Sequence, residues 1–239
     1  YGACARRLQK MFSEKAFADM PAIELGLSAD TDLADRLEEL ADKTFFTNSD
    51  AHSLPKIARE YNIIEMAAPN FAELELALRR RQGRKIIANY GLDPKLGKYH
   101  RTHCPACDFI VPDPPPVLSC PRCEKDKVVK GVLDRITEIA DYTEPNHPEH
   151  RPPYHYQVPL QFMPGIGAVT LMKLLNRFGT EMAVLHRIDQ GEIEKTVGAK
   201  LAQVILQARE GALPLQAGGG GRYGKAITAQ KETQLGLAL

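Results

Sequence analysis

Two Cys-x-x-Cys motifs limit the folding of this chain more than any other feature of its sequence. The four cysteines are Cys104, Cys107, Cys120 and Cys123, and residues 108–119 separate the two pairs. Each motif turns two thiolates toward one point, so the two pairs together supply the ligands of a tetrahedral Zn²⁺ site. Because four thiolates leave no coordination position open, they predict a structural zinc whose binding energy supports a segment with little core of its own. A redox role is the alternative, but two matched pairs favour zinc, with Cys4 uninvolved.

Before residue 90, short apolar runs alternate with amphipathic stretches of helical period. The predicted strands are 22–25, 45–47, 63–66 and 86–88. This alternation is typical of an α/β protein with a parallel sheet or barrel, in which functional residues collect at the carboxyl ends of the strands.

Asp50 and His52 follow directly on the predicted strand 45–47. On an extended strand, residues two apart face the same side, so this carboxylate and imidazole are expected to reach one site. Such a pair suits zinc, manganese or iron. A solvated loop is the alternative, since Asn-Ser-Asp is typical of turns. Glu24 and Asp30 lie near a neighbouring strand end and are further candidates, although Asp30 also fits a helix cap.

The hexapeptide Asn-Ser-Asp-Ala-His-Ser at 48–53 resembles the last metal-binding motif of the PHP (polymerase and histidinol phosphatase) superfamily. This resemblance implies a distorted β/α barrel with a two- or three-metal site for phosphoester hydrolysis, in which Asp50 and His52 are catalytic metal ligands. The superfamily also has an HxH motif near its start, whereas His52 is the only histidine before His100 here. We therefore expect the C-terminal part of a PHP domain, with most ligands of the catalytic Mg²⁺, Mn²⁺ or Zn²⁺ outside this chain.

Positive charge is concentrated in the middle of the chain, although the net charge is only +1. Residues 79–103 contain eight Lys or Arg residues and one acidic residue. This local excess predicts a polyanionic partner, with the cations paired to phosphates. For Arg79, Arg80 and Arg81 alone, a solvated helix end is the favoured alternative, since cations stabilise helix C-termini.

The sequence Met-Pro-Gly-Ile-Gly at 163–167 leads into an amphipathic helical pattern. A Gly-x-Gly turn that opens a helix exposes backbone N–H groups, which the helix dipole makes attractive to a phosphate. This segment resembles the helix-hairpin-helix motif that binds the DNA backbone, and residues 196–200 resemble a degenerate second copy. For the isolated motif, an ordinary turn between helices is the alternative.

The order of these motifs resembles the endonuclease Q family of PHP-type repair nucleases. The resemblance rests on Ser-Asp-Ala-His at 49–52, on residues 89–101, on the four cysteines and on Pro-Gly-Ile-Gly. It implies a metal-dependent endodeoxyribonuclease that nicks DNA on the 5′ side of deaminated bases (uracil, hypoxanthine, xanthine) or abasic sites. The residues expected to contact DNA are Arg79, Arg80, Arg81, Lys95, Lys98, Tyr99, His100, Arg101, Gly165 and Gly167. Tyr90, Tyr99 and His100 are the candidate stacking surfaces for an extruded base.

Five segments are predicted. They are 1–89, the C-terminal part of a PHP domain; 90–130, a zinc-ribbon module; 131–160, a helix and a proline-rich linker or strap; 161–213, an all-α helix-hairpin-helix-like domain; and 214–239, a flexible glycine-rich tail. The expected partners are DNA containing deaminated bases and replication or repair proteins. No apolar run is long enough to span a membrane, so we expect a cytoplasmic protein, associated with the nucleoid in a prokaryote.

Two rival functions remain open at this stage. One is a zinc-ribbon and helix-hairpin-helix module that binds DNA without catalysis, because few catalytic ligands are present. The other is a PHP phosphatase that acts on small phosphoesters, which the DNA-binding motifs disfavour. The nuclease interpretation implies that the isolated chain is an inactive portion of a longer enzyme.

Overall fold

The computed structural model of the protein describes residues 5–227. Helix α1 (Glu14–Asp19) begins at Ser13, whose side chain accepts a hydrogen bond from the N–H of Ala16. Strands β1 (Ala22–Leu25) and β2 (Thr44–Thr47) pair in parallel. The short helix α2 (Thr31–Ala34) lies between them in sequence. Asp30 caps this helix by accepting from the N–H of Leu33 at 2.8 Å, as the sequence indicated.

The next two strands run in opposite directions, contrary to the predicted parallel sheet. Strand β3 (Tyr61–Glu65) and strand β4 (Lys85–Leu92) pair antiparallel, and helix α3 (Phe71–Leu78) connects them. The reason lies in segment 48–60, which forms an exposed loop with one 3-10 turn in place of the crossover helix that a parallel strand needs. Strand β3 therefore starts where β2 ends, and Thr47 Oγ1 donates to the carbonyl of Tyr61 at 3.1 Å.

The cysteine segment contains two very short strands, β5 (His103–Cys104) and β6 (Phe109–Ile110), followed by helix α4 (Val132–Ile139). Helix α4 is fixed against the end of the preceding segment, because the N–H of Val132 donates to the carbonyl of Tyr99 at 2.8 Å. The module is therefore joined to the α/β part by main-chain hydrogen bonds.

The proline-rich segment is a strap across the α/β part and ends in a strand. Strand β7 (Tyr154–Gln157) pairs in parallel with β4 at the edge of the sheet β3-β4-β7, the position where neighbouring prolines are tolerated. Before it, Arg151 donates to Asp35 at 2.6 Å and to the carbonyl of Lys43 at 2.6 Å. These buried contacts fix the strap to the loops around β2.

Four helices follow: α5 (Ala168–Phe178), α6 (Glu181–His186), α7 (Gln190–Val197) and α8 (Ala199–Arg209). Their buried side chains share one core with Leu92 and Leu96, so the helical part packs directly on the end of β4. Gly165 and Gly198 precede α5 and α8 with φ of +85° and +86°, and a Cβ on Gly165 would approach Leu201 Cδ2 to 2.8 Å. Within residues 5–227, no helix is long and apolar enough to cross a membrane.

The prediction of a flexible tail from residue 214 is wrong for the described residues 214–227. Strands β8 (Leu215–Gln216) and β9 (Lys225–Ala226) form a hairpin, and Gly218 N–H donates to the carbonyl of Lys95 at 2.7 Å. Glycine is needed there because a Cβ on Gly218 would lie 2.5 Å from the carbonyl oxygen of Gly97. Cys4 and residues 228–239 lie outside the described part of the chain.

Candidate functional site

Asp50 and His52 meet at the surface, but strand alternation does not bring them together. Strand β2 ends at Thr47, and Asp50 has a left-handed backbone conformation with φ of +44°. His52 Nε2 lies 3.4 Å from Asp50 Oδ1, and the two side chains are 83% and 70% exposed. The turn at Asp50 therefore produces the proximity that the sequence spacing predicted for an extended strand.

A buried arginine closes the loop that carries these two residues. The Arg59 guanidinium donates to the carbonyl of Ser49 at 3.3 Å and to Glu60 Oε1 at 2.6 Å, while its own carbonyl accepts from Gln157 Nε2 at 2.7 Å. Residues 49–59, here called the site loop, are therefore tied at their base. Asp50 and His52 lie on the exposed part of this loop.

The site loop borders a cleft of about 1100 Å³ between the α/β part, helix α4 and the C-terminal hairpin. Asp50, His52 and Glu24 contribute the acidic and imidazole groups of its lining. Four cations line the cleft with them: Lys56, Lys98, Lys130 and Arg135. Two aromatic side chains, Tyr99 and Tyr223, also line it. Even when Glu138, the partner of Lys130 and Arg135, is counted with Glu24 and Asp50, the four cations exceed the three carboxylates, so the cleft favours an anionic ligand.

The cations that line the cleft have different partners. Lys130 and Arg135 share Glu138, at 2.7 Å and 3.1 Å. Lys98 lies over the ring of Tyr223, with its Nζ 4.7 Å from the ring centroid. Lys56 Nζ lies 6.0 Å from the same centroid. Neither lysine is paired with a carboxylate among the described residues, so Lys98 and Lys56 are the cations of the lining best placed to bind a phosphate.

The carboxylates and imidazole of the cleft have the chemistry of ligands for a divalent metal. Oxygen and imidazole nitrogen donors suit Mg²⁺, Mn²⁺ or Zn²⁺. Asp50 and His52 point their donor atoms at each other across 3.4 Å, while Glu24 lines the same cleft from β1. Asp30 is instead used as a helix cap and accepts from Tyr156 Oη at 3.0 Å. Across the described residues, three or more convergent ligands occur only at the cysteines.

The sulfur atoms of Cys104, Cys107, Cys120 and Cys123 all lie within 4.8 Å of one another. Burial opposes ionisation of Cys104, but N–H groups of the first motif and neighbouring thiols outweigh it and lower its pKa to about 7. Burial and the surrounding sulfurs, including the Cys104 thiolate, raise the pKa of Cys107 to about 12. Four thiolates so close together need a cation, which suits the structural zinc that the spacing predicts.

The cysteine module is anchored by buried polar contacts near the cleft. Arg101, predicted to contact DNA, is largely buried, donates to the carbonyl of Asp113 and lies 3.9 Å from the buried carboxylate of Asp134. His100 is also buried, its ring nitrogen lies 3.4 Å from the carbonyl of Ser28, and burial lowers its pKa to about 4. In this fold neither side chain is free to contact a base.

The other predicted DNA contacts are dispersed. Arg79 bonds Glu75 at 3.1 Å, and Arg80 bonds Thr44 Oγ1 and the carbonyl of Asp42, so both stabilise the fold. Four predicted positions are exposed but do not line the cleft: Arg81, Lys95, Gly165 and Gly167. Tyr90 is stacked between Tyr61 and His155, with ring centroids 4.6 Å and 4.4 Å away, and His186 of α6 lies edge-on to it at 5.1 Å. Of the predicted DNA contacts, Lys98 and Tyr99 are the ones that lie in the cleft.

Four residues of the cleft were missed from the sequence: Lys56, Lys130, Arg135 and Tyr223. Lys56 follows His52 closely, and this proximity was an available signal. The others come from the start and body of the α4 segment and from the C-terminal hairpin, and only tertiary folding brings them to the site loop.

No protein-family model matches the chain. The uncharacterized protein YqxK of Bacillus subtilis (strain 168) is 51% identical to it over 204 residues, which are 85% of this chain and 52% of YqxK. The uncharacterized protein MJ0043 of Methanocaldococcus jannaschii is 41% identical over 223 residues, covering 85% of this chain and 28% of that protein. The chain thus spans about half of one relative and less of the other.

Two solved structures match the fold closely. The lesion-specific endonuclease PfuEndoQ from Pyrococcus furiosus superposes with a TM-score of 0.76 and 30% identity, over 97% of this chain and 62% of that one. The second structure is endonuclease Q in complex with a 27-mer duplex substrate with an abasic lesion at the active site. It superposes with a TM-score of 0.76 and 33% identity, over 93% of this chain and 60% of that one. The chain therefore shares the fold of a lesion-specific endonuclease. More specifically, it is endonuclease Q-like, which confirms the resemblance that its motifs indicated.

Proposed function

We propose that this chain is part of a metal-dependent DNA repair endonuclease that nicks on the 5′ side of a lesion. The observation that carries the proposal is the meeting of Asp50 and His52 with four cations in one cleft. The similarity to endonuclease Q structures makes DNA the preferred anion. We propose deaminated bases (uracil, hypoxanthine, xanthine) and abasic sites as lesions, and an abasic lesion occupies the active site of one solved neighbour.

Asp50 and His52 would hold a catalytic Mg²⁺, Mn²⁺ or Zn²⁺ together with ligands from outside this chain. A bound divalent ion would supply a hydroxide at neutral pH and offset the charge that develops on the phosphate. The left-handed turn at Asp50 and the Arg59 contact at the loop base keep the two donors close before the ion arrives. This preorganisation reduces the entropy lost when the ligands are collected.

The cations of the cleft would position the phosphates around the lesion. Lys98 and Lys56 approach from the side of the site loop, and Lys130 and Arg135 from the side of helix α4. Tyr99, which is 61% exposed, lines the same cleft and would stack on an extruded base. The backbone around Gly165 and Gly167 would bind the DNA backbone away from the cleft.

The isolated chain is proposed to be inactive as a nuclease. A site that hydrolyses a phosphodiester with two metal ions needs several ligands around them. Within the described residues, Asp50 and His52 are joined in the cleft only by Glu24 as a further acidic donor. This small ligand number also favours the second candidate function, a DNA-binding module without catalysis.

A nicking assay with the longer protein that contains this chain distinguishes the two candidates. Duplexes with a single uracil, hypoxanthine, xanthine or abasic site should be cut 5′ of the lesion in Mg²⁺ or Mn²⁺, whereas an undamaged duplex of the same sequence should not. Specific binding without nicking in either metal would favour the DNA-binding module. Equal cutting of damaged and undamaged duplexes would contradict lesion recognition.

A further inference from the structure

We propose that Leu54 and Ile57, at the tip of the site loop, form an apolar wedge that enters the DNA stack where the damaged nucleotide leaves it. This inference rests on the proposed function and assigns to the same site the residues that open the duplex. Within the site loop, Leu54 and Ile57 are 83% and 62% exposed. Large aliphatic side chains this exposed, next to candidate catalytic residues, suggest a surface that is covered when the ligand binds.

The backbone holds this pair in a defined orientation. Leu54 begins a 3-10 turn that ends at Lys56, with Pro55 fixing its second position. The N–H of Ile57 donates to the carbonyl of Leu54 at 3.2 Å, which brings both side chains to one turn. The base of the loop is closed by buried Arg59. A wedge has to resist being pushed back, and a tied loop with a proline meets that requirement.

The position of the turn matches the position that a wedge requires. Leu54 is two residues from His52, so their Cα atoms are separated by no more than about 7 Å. Lys56 lies between the two apolar residues and lines the cationic cleft. A duplex held by phosphates in the cleft would therefore present its base stack to Leu54 and Ile57. Extruding a nucleotide leaves two base pairs unstacked, and inserted aliphatic side chains replace part of the lost contact.

The test uses the 239-residue chain and a duplex with a tetrahydrofuran abasic site flanked by 2-aminopurine, whose fluorescence rises when the neighbouring base is unstacked. At saturating protein, the wild-type chain should raise the fluorescence. The double variant Leu54→Ala/Ile57→Ala should give less than half of that rise. Its affinity should weaken by no more than about fivefold, because the cations of the cleft supply most of the binding.

Phe71→Ala is the matched control. Phe71 is 88% exposed, but it begins α3 after the carboxyl end of β3, whereas the site loop leads into the amino end of that strand. This variant should match the wild type in both fluorescence and affinity.

Three outcomes would overturn the wedge. The first is an undiminished fluorescence rise with the double variant bound, which leaves the proposed function intact. The second is a double variant that lowers the melting temperature of the longer protein but not that of the 239-residue chain. Leu54 and Ile57 would then pack against another part of the longer protein and not against DNA. The third is failure of the wild-type chain to bind the duplex, which would also remove the proposed DNA site.

Discussion

At the scale of single residues, the buried pair Arg59–Glu60 holds the loop that carries Asp50. Glu60 accepts one short bond from Arg59, while its Oε2 has no hydrogen-bond partner among the described residues. Burial disfavours the charged carboxylate and outweighs the Arg59 contact, so the pKa of Glu60 rises to about 7. The half-buried Glu181 adds to this rise in the pKa of Glu60. The base of the site loop is therefore sensitive to pH near neutrality.

Glu60→Gln should remove this pH dependence. A folded-state pKa above the ordinary value means that the folded protein binds the proton more tightly. The contribution of protonated Glu60 to the stability of the fold is therefore complete below about pH 4.5 and is lost as the pH rises through about 7. The unfolding free energy of the wild type minus that of Glu60→Gln should fall by about 2–3 kcal/mol across this window. Urea denaturation at several pH values measures it.

The control for this measurement is Glu73→Gln. A hydrogen-bonded ion pair with Arg84 holds the pKa of the half-buried Glu73 below its ordinary value, so the stability difference for this variant should not decline between about pH 5 and pH 7. If the difference in unfolding free energy between the wild type and Glu60→Gln did not change with pH, Glu60 would be ionised throughout the range, which would contradict its raised pKa.

Single residues of the site could be predicted only where the chemistry is local. Asp50 and His52 are close in sequence and chemically distinctive, and the structure does bring them together. Their geometry was predicted wrongly as an extended strand, because Asp is compatible with both extended and left-handed backbone and Asp50 adopts the left-handed one. His100 looked like a surface residue in a cationic run, but its burial depends on Ser28 and helix α4, which are remote in sequence.

At the scale of elements, the cysteine module depends on its four thiols more than on packing. Between residues 101 and 130, the fully buried side chains are few, while Leu92 and Leu96 belong to the core shared with the helices. The module boundary predicted at residue 90 therefore lies too early. Leu92 and Leu96 pack with the helical part, and we expect the metal-dependent part to begin near Arg101.

Cys104→Ser/Cys120→Ser should abolish binding of one zinc per chain and unfold residues 101–130. Hydrogen exchange should show lost protection there, because metal binding supplies the folding free energy of the module. The amides of Leu92 and Leu96 should remain protected. Elemental analysis measures the zinc content. If this variant retained one zinc per chain, the four cysteines would not be the zinc ligands. Ser119→Ala, next to one of the cysteines, is the control that should keep the metal.

Helices and strands could be predicted from the sequence where the periodicity of apolar residues determines them. They could not be predicted where they depend on close contact between backbone segments that are distant in sequence. Strands β1 and β2 follow from their apolar runs. The hairpin β8–β9 does not, because its glycines resemble a linker in composition, whereas Gly218 is present for close contact with Gly97. The antiparallel β3–β4 pair was missed because segment 48–60 is an exposed loop and not a crossover helix.

At the scale of the whole molecule, the cleft lies where three parts of the chain meet. The α/β part supplies the site loop, and the C-terminal hairpin supplies Tyr223. Lys130 lies just before helix α4, and Arg135 lies within it. Charge is therefore concentrated by tertiary structure, and the cationic run 79–103 is only partly responsible. Its first arginines are used inside the fold, while Lys98 enters the cleft.

This arrangement predicts which lysines govern DNA binding by the chain. The logarithm of affinity should fall linearly with the logarithm of salt concentration, and Lys98→Glu should reduce the slope by about one for the lost phosphate contact. Lys85→Glu should leave the slope unchanged, because exposed Lys85 is the first residue of β4 and does not line the cleft. Fluorescence anisotropy across a salt series measures both. If Lys98→Glu and Lys85→Glu changed the salt slope equally, DNA would not bind preferentially in the cleft.

The most direct test of the account is the effect of Asp50→Asn on nicking of a lesion-containing duplex by the longer protein. The substitution removes a candidate metal ligand and leaves the cations of the cleft in place. We expect nicking in Mn²⁺ to fall by at least about 1000-fold, since a ligand of the catalytic ion is lost, while the affinity for the duplex changes less than about threefold. Full activity of Asp50→Asn, or metal-dependent nicking by the 239-residue chain alone, would contradict the assignment of the site loop as a part of a larger catalytic centre.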